Sequence, residues 1–92
     1  MEMTTPSSNT QSNAQGSFGA MLQQARKTKQ VSLDEAAAEL FILKRHLEAL
    51  ENENFAELPQ AAFARGFAIN YAKYLGLDSA KIANSLDAAY PN

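Results

Sequence analysis

Residues 32–53 read SLDEAAAELFILKRHLEALENE, and this stretch decides the fold. Ser32-Leu33-Asp34-Glu35 is a capping box: the Ser32 hydroxyl can accept from a free backbone N–H, and Glu35 can reach back to the cap. A short helix follows through Ala36, Ala37 and Leu40. The pattern breaks at Phe41-Ile42. A second helix carries Leu43, Leu47 and Leu50 at i, i+4, i+7 and ends in Glu51-Asn52-Glu53-Asn54. Ala37 is expected where the two helices cross. Phe41 stands near a turn position that many such pairs give to Gly. A bulky residue with positive φ costs about 1–2 kcal/mol there. Either this turn is built differently or packing holds Phe41.

The helical pattern continues on both sides. Phe18, Met21, Leu22 and Ala25 recur at three- and four-residue spacing, and Arg26, Lys27 and Lys29 close that helix, where the dipole favours cations. Contact of these cations with anionic lipid is the alternative reading. Phe55 to Pro59 reads as a linker or single turn, because Pro59 disfavours helix at Leu58. A fourth helix runs from about Gln60 to Leu75 and ends at Gly76, with Leu77 folding back. Asp78 caps a fifth helix, with Ile82, Leu86 and Ala83 inward and Pro91 at its end. No alternating strand pattern of useful length exists. The expectation is an all-α, compact five-helix domain over residues 16–90, with the central pair as a helix-turn-helix of the phage-repressor kind. Ten of the first fifteen residues are Ser, Thr, Asn or Gln. Residues 1–15 therefore read as a disordered polar tail, with a docking peptide that folds on binding as the alternative.

The chain has 92 residues, a net charge of −2, no cysteine and one histidine. Disulfide scaffolds, thiolate metal sites, cysteine nucleophiles and multi-histidine metal centres are excluded. The scattered Ser and Thr have no paired His, and there is no glycine-rich phosphate loop. No enzyme, cofactor or metal site is expected. Apolar runs reach four residues, as in Leu40 to Leu43, where a membrane span needs about 20.

A helix-turn-helix invites a DNA-binding reading, so charge has to decide. Between Leu43 and Glu57, Lys44 and Arg45 face Glu48, Glu51, Glu53 and Glu57, a net charge of −2. A recognition helix normally brings cations to the phosphates. Glu48 and Glu51 would oppose that approach. Lys44, Arg45 and His46 are the residues that a DNA-binding transcriptional regulator would use, and that remains the alternative function. The fourth helix differs: Arg65 and Lys73 stand there without an acid. Phe63, Tyr74, Phe67 and Tyr71 fall within an arc of about 80° at 100° per residue. Beside them lies a face of Ala64, Ala68, Ala61, Ala72 and Leu75. The combined apolar arc of about 180° exceeds what a surface helix needs to bury. Part of the aromatic stripe is expected at the surface, and Gly66 on its edge would clear space for a partner. Tyr71 and Tyr74 are expected partly buried, with their hydroxyls at the rim. Core packing of the aromatics and self-association through the same stripe are the competing readings.

Taken from Gly16 to Leu86, the order of features resembles a known family. Met21-Leu22-Gln23-Gln24-Ala25-Arg26 is followed by Ser32-Leu33-Asp34-Glu35-Ala36-Ala37 and Leu47-Glu48-Ala49-Leu50-Glu51. Then come Phe63-Ala64-Arg65-Gly66-Phe67 and Tyr71-Ala72-Lys73-Tyr74-Leu75-Gly76-Leu77-Asp78. This is similar to the cytoplasmic helix-turn-helix domain of RodZ, a bacterial cell-shape protein. The resemblance implies binding to MreB, the bacterial actin homologue, and a place on the cytoplasmic side of the bacterial inner membrane. It also implies a basic juxtamembrane stretch and a transmembrane helix beyond Asn92. By motif match the MreB contact falls on Phe63, Arg65, Phe67 and Tyr71, with Gly66, Asn70 and Tyr74 as further candidates. The domain itself is expected to be monomeric.

Overall fold

The Ser32 hydroxyl accepts from the Glu35 N–H at 3.0 Å, and the Glu35 carboxylate accepts from the Ser32 N–H at 2.9 Å. The expected capping box thus starts a helix in the computed structural model, which describes residues 17–89. Five α-helices and no strand occur among the described residues: α1 (Phe18–Lys29), α2 (Leu33–Leu40), α3 (Lys44–Asn52), α4 (Ala61–Tyr74) and α5 (Ser79–Ala89). A single 3-10 turn, Phe55–Glu57, joins α3 to α4. The polar tail, Gly16, Tyr90 and Pro91 lie outside the described residues.

The other expected boundaries also have visible causes. Gly76 takes φ 80°, and the Leu77 N–H returns to the Ala72 carbonyl at 2.8 Å, closing α4. Asp78 accepts from the Ala80 and Lys81 N–H groups and starts α5. The endings of α1, α2 and α3 were not predictable from glycine, because Gln30, Phe41 and Glu53 take the left-handed conformation instead. Each strains the chain locally.

Phe18 and Leu22 of α1, Leu47 and Leu50 of α3, and Ile82 and Leu86 of α5 form the buried centre with the alanine stripe of α4. Two expectations need correction by one residue. Ala36, not Ala37, is the fully buried alanine of α2, and Ala37 is half-buried. Leu43 is not a core residue. It precedes α3 in extended backbone and is 56 % exposed, while Ile42 is buried in its place. The helix starts one residue later than its leucine spacing suggests, so the apolar face begins at Leu47.

Gly19 is where α1 lies closest to α3. A Cβ there would sit 2.3 Å from the Glu51 carbonyl oxygen and 2.8 Å from that of Leu50. Backbone cannot yield as a side chain can, so α1 would have to lift away. Replacing Gly19 with Ala is expected to destabilise the domain by about 1–3 kcal/mol despite the better helix propensity of Ala. Urea unfolding followed by circular dichroism measures this. An unchanged midpoint would mean that the two helices are not in this register.

Candidate functional site

α4 begins just after Pro59 and carries Ala64, Ala68 and Ala72 at four-residue spacing, all fully buried. These small side chains let α4 lie close to its neighbours, and the face they define sets what the rest of the helix presents. Tyr71 is also fully buried. It is therefore not a partner-facing residue, and its hydroxyl is not at the rim. The hydroxyl donates to the Glu51 carboxylate at 2.5 Å. That carboxylate also accepts two bonds from the Arg26 guanidinium, at 2.7 and 3.1 Å.

Glu51 and Arg26 correct the sequence reading as well. Glu51 is 7 % exposed, so it does not repel anything outside the domain. Arg26 serves this buried pair and donates to the Val31 carbonyl, rather than only complementing a helix dipole. Bonding to Glu51 raises the Arg26 pKa, and burial followed by the Glu51 bond pushes the Tyr71 phenol well above its usual value. The sequence offered a weak signal for this cluster, a carboxylate at the end of a leucine helix. Its partners lie 25 and 20 residues away, and spacing cannot reveal them.

The remaining aromatics of α4 divide by exposure. Phe63 is 60 % exposed. Phe67 is half-buried, and the His46 ring stacks on it with centroids 5.4 Å apart and planes at 21°. Tyr74 is half-buried under the Lys29 ammonium, which sits 5.3 Å from the ring centre. Asn70 is exposed. Gly66 is exposed too, and a Cβ there would meet nothing within 4 Å. Close approach by another helix of the domain is thus not its reason for being Gly. The Arg65 guanidinium Nε reaches both carboxylate oxygens of Asp87 on α5, at 3.1 and 3.2 Å. Both side chains are about half-exposed, so the pair contributes little to stability and can be exchanged for an outside carboxylate.

The residues of the DNA alternative are dispersed in role. Lys44 pairs with Asp34 at 3.4 Å, His46 packs on Phe67, and Arg45 is exposed. Sequence reasoning missed one surface feature. Phe41 is 95 % exposed with φ 57°, so packing does not hold it, and the turn keeps its left-handed residue without Gly.

The sequence profile of a family described as a helix-turn-helix domain matches residues 21–82, from the second turn of α1 into α5. No curated protein and no solved structure matches the chain.

Two outcomes are expected from this geometry. Gly66→Ala should raise stability by up to about 1 kcal/mol, because the helix gains propensity and the methyl group meets nothing. A destabilised variant would refute the open space at that position. Tyr71→Phe should cost about 2 kcal/mol at pH 8, since the hydroxyl bonds an ionised group. The folded-state pKa of Tyr71 lies above its unfolded value near 10. Its contribution is therefore complete below about pH 10 and falls as pH rises beyond that. Urea midpoints measured from pH 8 to 11 should converge for wild type and Tyr71→Phe, and parallel curves would rule out the linkage.

Proposed function

The chain belongs to this helix-turn-helix domain family, the one found in RodZ cytoplasmic domains, and from that membership we propose a protein-interaction module that binds MreB. The observation that carries the reading is Phe63, a large aromatic side chain left 60 % exposed on a helix that has no acid. Exposed aromatics with a flanking Arg are the chemistry of a protein hot spot. Phe63 would enter an apolar pocket of the partner. Phe67 and the His46 ring stacked on it would form the floor beside it, and the open side of Gly66 would admit partner backbone. Arg65 would leave Asp87 for a carboxylate of the partner. At the rim, that exchange affects association rate more than residence time.

In this proposal the domain links MreB filaments to the cytoplasmic face of the inner membrane for maintenance of rod shape. No helix among the described residues is long and apolar enough to cross a membrane. The anchor would be the transmembrane helix expected beyond Asn92. DNA binding has less support. Lys44 and Arg45 are exposed, but the same helix carries exposed Glu48, and His46 is packed on Phe67.

Co-pelleting with purified MreB filaments tests the proposal. Phe63→Ala should weaken binding by about 2 kcal/mol, roughly 30-fold, with unchanged helical content. Phe67→Ala should weaken binding and also lower stability, because it removes the His46 stack. Arg65→Glu should lose more binding at low salt than at high salt. A folded Phe63→Ala that pellets like wild type would sink the assignment to α4.

A further inference from the structure

Three glycines fall within the described residues, and the domain itself accounts for two of them. Gly19 lets α1 approach the α3 backbone, and Gly76 takes φ 80° to end α4. Gly66 has neither reason. It lies within α4, its φ is not positive, and a Cβ there would meet nothing within 4 Å. A Gly inside a helix forgoes stability that Ala would supply. Among the uses of Gly, what remains is close approach by a backbone from outside the domain.

The surroundings of Gly66 say what kind of backbone. Residues four apart on a helix form rows. Ala62, Gly66 and Asn70 make one row, all exposed. Phe63 and Phe67 make the row on one side of it, and Arg65, Ile69 and Lys73 the row on the other. The middle row carries at most a methyl group at its first two positions. It is therefore the floor of a groove with an aromatic wall and a cationic wall. Phe63 is the exposed part of the first wall, and Phe67 is backed by the His46 ring. In the second wall Arg65 and Lys73 are exposed, with half-buried Ile69 between them. Arg65 is paired with Asp87 of α5, whereas Lys73 has no ion-pair partner among the described residues. Helix α4 contributes no acid to either wall. Glu57, the nearest acid before α4, lies with Arg45 and Asn52 on the α3 side. A groove between such rows receives the matching ridge of another helix, at a crossing of about 50°. A loop has no row of side chains at that spacing.

We propose that the element docking on α4 is an amphipathic α-helix of the partner, crossing with its backbone closest at Gly66. Its aliphatic side chains meet Phe63. Carboxylates on its other flank meet Lys73 and, in place of Asp87, Arg65. This rests on α4 as the MreB surface and adds the kind of element that surface takes. Gly66 then sets specificity: the domain forgoes helix stability there, and a partner helix can come close.

Co-pelleting with purified MreB filaments, read beside urea midpoints and circular dichroism, tests it. Gly66→Ala should bind about tenfold more weakly while unfolding at higher urea. Gly66→Leu, and Ala62→Leu one turn earlier on the floor, should abolish binding in a folded domain. Ala80→Leu, an exposed alanine of α5, is the control for size and should bind like wild type. Lys73→Glu should lose more binding at low salt than at high salt. Carbodiimide coupling of the Lys73 amine to MreB carboxylates, mapped by mass spectrometry, identifies the docking element. The coupled acids should lie on a single MreB helix, and those coupled to the added amine of Arg65→Lys should lie on the same one. If Phe63→Ala loses binding while both Gly66 variants pellet like wild type, α4 remains the MreB surface and the groove is refuted. Coupling to a strand or loop, or equal loss in Ala80→Leu, also overturns the proposal. A wild type that does not pellet removes MreB binding itself, and the helix in the groove with it.

Discussion

Glu51 places a carboxylate inside the domain, with its side chain 2 % exposed. Removing such a charge from water costs several kcal/mol unless its oxygens are bonded. Here they accept from Arg26 of α1 and Tyr71 of α4, while Glu51 itself belongs to α3. Three helices meet at one group, and none can rotate without leaving a buried charge short of a partner. A buried ion pair need not add net stability over an apolar replacement. What it fixes here is orientation. Two residues on, Glu53 binds the Gly19 N–H and the Ser17 hydroxyl at the start of α1. The end of α3 therefore holds α1 at both its first turn and Arg26, with Gly19 allowing the close approach.

The surface of α4 follows from that arrangement. With Tyr71 bonded inward and Ala64, Ala68 and Ala72 against the core, the helix has one rotational setting. Phe63, eight residues before Tyr71 and near the open end of α4, is then left in water. Phe67 lies between them and is half-covered by His46. The exposed aromatic is thus a consequence of the buried one. That relation explains how a helix with an apolar arc too wide for its burial keeps a defined face rather than sampling several.

Local features were legible in the sequence, and non-local ones were not. Ser32 with Glu35, Asp78, and Gly76 with Leu77 act within a few residues, so spacing and residue type reveal them. The alanine stripe of α4 was legible for the same reason at Ala64, Ala68 and Ala72, since helical period alone sorts it, but Ala61, expected on the same face, is exposed because it opens the helix before the other helices reach it. Glu51 was not. In sequence it is one of several acids closing a helix, and only the fold brings Arg26 and Tyr71 to it. The exchange of Leu43 for Ile42 in the core has another cause. An apolar run through a turn contains no phase information, and a helix start displaced by one residue changes which side chain points inward. Phe41 was recognised as an anomaly, but its exposure depends on what the turn packs against.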